Sequence, residues 1–99
     1  MKIIAISSDA PGTTDEQFAP HLKAEARRAW ELYLSGDVRE FYFRADESSA
    51  VLILECESVE AAGEILATLP LVRERLITFK LIPLAPYPGF ARLFEQDQD

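Results

Sequence analysis

The sequence predicts one α+β domain whose elements follow the order β-α-β-β-α-β around an antiparallel sheet. The segment from Ser58 to Pro83 begins with a helix-capping serine, continues as an amphipathic helix, breaks at Leu69-Pro70-Leu71 and ends in a strand. Before Ser58, three strand-like runs and a second helical pattern supply the sheet that such a helix needs to pack on. This order is the ferredoxin-like arrangement.

Size and composition restrict both the architecture and the partners. The 99 residues make a single domain, 1–99, without room for a second core. A hydrophobic content of 48% excludes a disordered chain. The net charge of −7 excludes the basic face that nucleic acid requires, and an anionic membrane would repel the chain. We therefore expect neither nucleic acid nor a membrane as a partner.

The cysteine content and the N-terminus predict a cytoplasmic protein. The apolar run from Ile3 to Ile6 is too short for the hydrophobic region of a signal peptide, and no stretch reaches the length of a membrane span. Cys56 is the one cysteine, so the chain cannot form an internal disulfide, which suits a reducing compartment.

The first third of the chain predicts a strand and a long helix. Lys2 to Ser8 is an apolar run with the length of a strand, and turn residues follow it. Thr14 and Gln17 have the spacing of a capping box, and Gly36 is a typical helix stop. We therefore predict one helix from Thr14 to Ser35.

That helix has two apolar surfaces when it is wound at about 100° per residue. Trp30 and Leu34 form the smaller surface. It suggests a contact with further subunits, beyond the homodimer that is predicted below. Glu25 falls inside the main stripe, whose apolar members are Phe18, Leu22, Ala29, Leu32 and Tyr33.

The middle of the chain predicts two strands of different character. Val38 to Ala45 alternates, so one face carries Phe41 and Phe43 and the other carries polar side chains. Ala50 to Cys56 is apolar on both faces, which indicates a central strand covered on both sides.

The remaining elements complete the predicted fold. Ser58 caps the second helix, whose sheet-facing side contains Ile65, Leu66 and Leu69 and which we expect Pro70 to end. Ile77 to Pro83 is the last strand.

Helices on one face of the sheet leave its other face bare, and a second copy of the chain covers it most simply. A domain this small also has reason to complete its core by self-association. We therefore predict a homodimer and allow for a higher oligomer. The tail 86–99 contains Phe90, Leu93 and Phe94 and is expected to pack on the partner subunit.

Four short motifs occur in the order Gly36-Asp37-Val38-Arg39, Ser58-Val59-Glu60-Ala61, Leu69-Pro70-Leu71 and Pro83-Leu84. With this spacing, the chain from about Leu22 to Pro88 resembles the muconolactone delta-isomerase-like group of the dimeric α/β-barrel superfamily. The resemblance implies two ferredoxin-like sheets packed face to face, sometimes within larger rings. It also implies a proton shift on a small unsaturated lactone without a metal or cofactor.

Two positions depart from the pattern of that group. The resemblance places arginines at Arg39 and at position 43, and a His-Pro pair near the end. This chain has Phe43, with Arg44 one residue later, and Tyr87-Pro88 in place of His-Pro. A displacement by one residue along a strand moves a side chain to the opposite face. The resemblance therefore supports the fold more strongly than the lactone substrate.

The polar face of the second strand is the first candidate site. Glu40, Tyr42 and Arg44 share it, and Lys80 on the last strand could join them. Between two sheets, Glu40 could abstract a proton next to a carbonyl, Arg44 or Lys80 could stabilise the enolate, and Tyr42 could orient the ligand. The alternative is a salt-bridged polar patch without a catalytic role.

The first helix provides a second set of candidates for ligand binding. His21 and Glu25 are one turn apart and can exchange a proton, although such a pair is also common on a solvated helix surface. Arg39 matches the resembled group but could equally brace the turn before its strand. One histidine and one cysteine cannot make a zinc site, and we expect neither metal nor cofactor.

These residues leave two main function classes open. One is a cofactor-independent, isomerase-like protein that binds or converts a lactone or carbonyl compound between two sheets. The other is a non-catalytic binding or assembly module with the same fold. A monooxygenase-like member of the superfamily is a third, weaker alternative. An enclosed pocket lined by Glu40, Tyr42 and Arg44 would favour the first class, and a filled apolar interior would favour the second.

Overall fold

The structure is a computed structural model and describes residues 1–96, so the last three residues of the predicted tail lie outside it. Its elements in chain order are β1 (Lys2–Asp9), α1 (Asp15–Phe18), a 3₁₀ turn (Ala19–His21), α2 (Leu22–Ser35), β2 (Val38–Phe43), β3 (Ala50–Glu55), α3 (Val59–Leu66), α4 (Pro70–Arg73), β4 (Ile77–Pro83) and a 3₁₀ helix (Pro88–Phe94). The sheet has the order β2-β3-β1-β4, and every neighbouring pair is antiparallel. The predicted ferredoxin-like arrangement is confirmed.

The helices cover one face of this sheet, and the core lies between them. Alternate residues of β1 and β3 point toward the helices, and Ala5 of β1 is paired with Leu52 of β3 in the centre of the sheet. The largest fully buried side chains come from strands, helices and the link before α4, and are Ile3, Leu32, Leu54, Leu66, Leu69 and Val38.

The predicted first helix is interrupted, so the expectation of one continuous helix was wrong. The chain forms α1, then a 3₁₀ turn that contains Pro20, and then α2. Proline lacks an N–H group and crowds the carbonyl one turn earlier, which disfavours a continuous helix. Both predicted ends are correct. The Thr14 N–H donates to Gln17 Oε1 at 2.8 Å, and Gly36 takes the left-handed conformation with φ of +84°.

Pro70 begins a helix instead of ending one. Helix α3 stops at Leu66, and Pro70 occupies the first turn of α4, where a missing N–H costs nothing. The predicted cap of α3 is present, because Ser58 Oγ accepts a hydrogen bond from the Ala61 N–H at 3.1 Å. The next N–H groups at the start of α4, including that of Leu71, have no acceptor within their own helix.

Strand β2 has the predicted faces but a shorter length. It ends at Phe43, and its pairing with β3 shifts between Val38 and Glu40, which is the pattern of a β-bulge. Phe41 is paired with Leu52 on the helix-facing side, and Tyr42 is paired with Val51 on the open side.

The face of the sheet without helices is apolar at its centre. Its exposed surface includes half-buried isoleucine and valine side chains, namely Ile4, Ile6, Val51, Ile53 and Ile82. We call these five residues the open-face patch. Strands β2 and β4 are the edges of the sheet, and the four helices α1 to α4 pack on its other face. The fold therefore leaves the open-face patch uncovered.

The C-terminal tail is apolar and exposed. Tyr87, Phe90, Leu93 and Phe94 are 65%, 67%, 78% and 85% exposed, so the 3₁₀ helix Pro88–Phe94 does not contribute to the core. The chain measures 66 × 28 × 22 Å, and its radius of gyration of 17.3 Å exceeds the ~13 Å of a compact domain of this length. No helix within residues 1–96 is long and apolar enough to cross a membrane.

Candidate functional site

A cavity of about 580 Å³ lies between the first two helices and the helix-facing side of the sheet. This volume is in the range of sites for small organic ligands. All four strands contribute to its floor, α1 and α2 form its wall, and the link before α4 closes one side. The four phenylalanines among its lining residues are Phe18, Phe41, Phe43 and Phe79. The interior therefore suits a flat, largely apolar ligand.

Glu25 brings a carboxyl group into the wall of this cavity. It is half-buried on α2, and its Oε1 accepts a hydrogen bond from the Leu71 N–H at 2.9 Å. Burial raises the pKa of Glu25 above its ordinary value of 4.5, while the Leu71 hydrogen bond and the nearby charge of Arg73 oppose the rise. A carboxylate in such a place is a stronger base than one in water.

A second contact holds the same junction between α2 and the start of α4. One turn after Glu25, Arg28 Nε donates to Thr68 Oγ1 at 2.9 Å. The Nη1 atom of the same guanidinium group forms a salt bridge with Glu31 Oε1 at 3.1 Å. Thr68 Oγ1 in turn donates to the Ile65 carbonyl at 2.6 Å. Glu25 and Arg28 of α2 thus hold the chain from Thr68 to the Leu71 N–H in the first turn of α4.

Removing the hydroxyl of Thr68 should loosen this junction. Thr68→Val keeps the shape of the side chain but deletes both hydrogen bonds, and we expect a loss of about 0.5–1.5 kcal/mol in the free energy of unfolding, measured by urea denaturation. Thr68→Ser retains the hydroxyl and is the matched control. Equal stability of the valine and serine variants would contradict a holding role for this contact.

The solvent side of the cavity is polar and acidic. Asp9, Asp15 and Ser48 line it and are exposed. Behind them, the buried Ser49 Oγ donates to the Ser7 carbonyl at 2.6 Å, and Ser7 Oγ accepts from the Ala50 N–H at 2.8 Å. These bonds join the β2–β3 turn to β1 and fix one rim of the opening.

The structure separates the residues predicted from the polar face of β2. Glu40 and Tyr42 are exposed on the open face, where Tyr42 Oη donates to Glu40 Oε1 at 2.5 Å. This hydrogen bond and the negative charge of Glu40 raise the pKa of Tyr42. Lys80 lies on β4, three strand positions away at roughly 14 Å. Arg44 pairs instead with Asp46 at 2.6 Å and Glu47 at 2.5 Å in the β2–β3 turn.

Glu40, Arg44 and Lys80 do not line the cavity, whereas Tyr42 is among its lining residues. The predicted pocket bounded by Glu40, Tyr42 and Arg44 is thus not the cavity that the single chain forms. A site for these residues would need a second sheet opposite the open face, so their catalytic role stays a prediction.

Of the remaining predicted site residues, one lines the cavity and two do not. Glu25 lines the cavity, while His21 and Arg39 do not. Arg39 Nε donates to the Gly36 carbonyl at 2.5 Å, which is the turn-bracing role that the sequence left open. Phe43, at the position where the resemblance places an arginine, is a lining residue of the cavity and is 69% exposed.

Comparisons with known proteins agree with this fold. The family model described as muconolactone delta-isomerase matches residues 5–89. The chain belongs to the muconolactone delta-isomerase family. A crystal structure of muconolactone isomerase at 3.3 Å resolution is similar with a TM-score of 0.71 and 25% sequence identity, over 90% of this chain and 93% of that chain. None of the curated proteins matches the chain.

The cavity is the main candidate site because it combines a volume suited to a small ligand with a half-buried carboxyl group, and most of its lining was not identified from the sequence. Glu25 was identifiable because it interrupts an apolar stripe, but Asp9, Asp15 and Ser48 lie in segments with ordinary turn composition. Within residues 1–96, no three histidine, cysteine or acidic side chains come together as a possible metal site.

Proposed function

We propose that this chain is an isomerase-type protein that binds a small unsaturated lactone or carbonyl compound in the cavity and uses Glu25 as its proton carrier. The observation that supports the proposal is the place of Glu25, a half-buried carboxyl in the wall of an apolar cavity of about 580 Å³. Membership of the muconolactone delta-isomerase family favours proton transfer over other reactions in such a cavity.

The proposed reaction needs one carboxyl group, and the total charge of the protein and its ligand does not change. The Glu25 carboxylate takes a proton from a carbon conjugated with the ligand carbonyl, and the electron pair of the broken C–H bond passes to the carbonyl oxygen as an enolate. The same carboxyl then returns the proton to another carbon of the conjugated system, and the double bond moves. Ser48 is a lining residue of the cavity, and we propose that its hydroxyl donates to the enolate oxygen.

The Leu71 hydrogen bond suits this cycle because it keeps one oxygen of Glu25 fixed. Oε1 accepts from the backbone at 2.9 Å, which leaves Oε2 as the atom that gains and loses the proton. A rigid carboxyl that serves as base and then as acid needs no second catalytic side chain, provided both carbons lie on the same side of the ligand.

Proton exchange in D₂O tests this proposal directly. Muconolactone and its neutral methyl ester are each incubated with the protein, and ¹H NMR follows the ring hydrogens that are conjugated with the carbonyl. We expect the double bond to move, or those signals to disappear, faster with protein than in buffer for at least one of the two compounds. Heat-unfolded protein is the control. Binding of a lactone with neither double-bond movement nor exchange would instead favour the non-catalytic binding module.

We also propose that the chain assembles as a homodimer through the open-face patch. Five apolar side chains lie together there without cover, and the exposed aromatic tail provides a further surface for a partner. Trp30 and Leu34 are 59% and 67% exposed, with Trp30 stacked on Tyr33 at 5.6 Å, so α2 offers a separate contact for a higher oligomer. The cytoplasmic location stays a prediction.

A further inference from the structure

Ser7 occupies the point at which the pairing of β1 with β3 ends. The backbone register of these two strands stops at the pair Ile6 and Val51. At the next position, side chains take the place of the ladder. The Ser7 carbonyl accepts from Ser49 Oγ at 2.6 Å, and Ser7 Oγ accepts from the Ala50 N–H at 2.8 Å. Two backbone groups thus have partners, and the Ser7 side chain is held in one place.

The Ser7 hydroxyl keeps a hydrogen for a further contact. A serine hydroxyl has one donor hydrogen and two acceptor lone pairs, and the Ala50 N–H uses one of the lone pairs. Within residues 1–96, Ser7 Oγ donates no hydrogen bond to another residue. Ser7 is only 7% exposed, and a buried donor without an acceptor costs free energy. An oxygen atom of a ligand can supply that acceptor.

The same residue lies in the floor of the cavity. Ser7 is on the helix-facing side of β1 with the buried Ile3 and Ala5, and it is one of the lining residues. Glu25 lines the cavity from α2, so the carboxyl group and Ser7 approach a ligand from different sides. This floor is built from the chain's own sheet, and the position of Ser7 does not depend on which surface covers the opening.

We infer that Ser7 is a ligand-binding residue of this site and that its hydroxyl donates a hydrogen bond to the carbonyl oxygen of the ligand. The inference rests on the proposed function, and it adds a buried donor to the exposed Ser48. When Glu25 removes the proton, negative charge develops on that oxygen, and the hydrogen bond strengthens while the hydroxyl keeps its own hydrogen. A donor that the Ala50 N–H already holds needs little reorganisation, and its low-dielectric surroundings increase its effect.

Infrared spectroscopy of a bound lactone tests this contact separately from catalysis. The probe is muconolactone with ¹³C at its ring carbonyl, and the background is Glu25→Gln, in which the proposed reaction is stopped and the ligand stays intact. A hydrogen bond weakens the carbonyl double bond, so we expect the stretching band of the bound carbonyl to lie at a lower wavenumber with Ser7 than with Ser7→Ala.

Ser49→Ala is the matched control for this measurement. It removes a second buried hydroxyl from the contacts between β1 and the β2–β3 turn, but it leaves the Ser7 hydroxyl free to donate. Its carbonyl band should therefore stay where the Glu25→Gln background has it. A structural role of Ser7 in holding the turn would not produce this difference between the two variants.

Turnover in the presence of Glu25 provides the second measurement. We expect Ser7→Ala to lower kcat at least about tenfold with less effect on KM, because the contact strengthens in the transition state. Ser49→Ala should lose similar stability but distinctly less turnover.

The outcomes separate this inference from the proposed function. An unshifted band in Ser7→Ala, or equal losses of turnover in the two alanine variants, would overturn the inference and leave Ser7 with the turn alone. A shifted band for a protein that shows no turnover would retain the Ser7 contact and contradict the proton transfer. Failure of muconolactone to bind at millimolar concentration would overturn both.

Discussion

Replacement of Glu25 by glutamine should slow proton exchange about 10²–10⁴-fold and, at the same time, stabilise the fold at pH 7. The amide keeps the shape of the side chain and can still accept the Leu71 N–H, but it cannot take up a proton. A residue with a purely structural role would not combine lost turnover with a gain in stability. The measurements are ¹H NMR exchange and thermal unfolding of the same samples.

The sign of the stability change follows from the pKa of Glu25. Burial raises it above 4.5 in the folded chain, whereas the unfolded chain keeps the ordinary value. Between these two values the native state binds the proton more tightly, so the folding stability of the parent falls as pH rises through this window. Glutamine cannot ionise, so the variant does not lose this stability as the pH rises. The variant should therefore be more stable than the parent at pH 7, and the difference should vanish below about pH 4.5, where both states are protonated.

Two other glutamine variants make the result specific. Glu64→Gln changes an exposed carboxylate on α3 and should alter neither exchange nor stability beyond about 0.5 kcal/mol. Glu40→Gln tests the alternative site on the open face, where Glu40 is bonded to Tyr42. If Glu40→Gln abolishes exchange and Glu25→Gln does not, the reaction takes place between two sheets and not in the cavity.

Aspartate at position 53 should dissociate the proposed dimer. Ile53 lies at the centre of the open-face patch, paired with Ile4 of β1 on one side and with Glu40 of β2 on the other. A two-fold interface would bury the introduced charge twice, and each unpaired charge costs several kcal/mol. We expect the dissociation constant to rise by at least about 100-fold, as measured by sedimentation equilibrium at several concentrations.

The control for this prediction is Ala24→Asp, which adds the same charge at an exposed position of the first turn of α2. Aspartate is favourable near a helix N-terminus, so this variant should stay folded and assembled. Far-ultraviolet circular dichroism shows whether Ile53→Asp is still folded. A parent protein that remains monomeric at micromolar concentration would refute the dimer, whatever the variants do.

Local sequence patterns predicted most of the elements because the signals for them are short-range. Alternation along Val38 to Ala45 correctly separates the two faces of β2, and the apolar run from Ala50 to Cys56 correctly indicates that β3 is a central strand. The caps at Thr14, Gly36 and Ser58 are likewise local hydrogen-bonding or conformational requirements. The two errors in the predicted helices both concern prolines. Pro20 interrupts a helix and Pro70 begins one, and either effect is compatible with the flanking residues alone.

The location of the candidate site depended on distances that no local pattern contains. Glu25 was identifiable as a carboxylate in an apolar stripe, but its partner, the Leu71 N–H, is 46 residues away along the chain. Glu40 and Lys80 have suitable chemistry and share a face of the sheet, yet the order β2-β3-β1-β4 places them on its two edges. Composition and periodicity determined the fold class, the faces of the strands and the helix caps, because each depends on neighbouring residues. Strand order and helix packing alone decided which side chains meet at the cavity, because burial and long-range contacts arise only when the whole chain is folded.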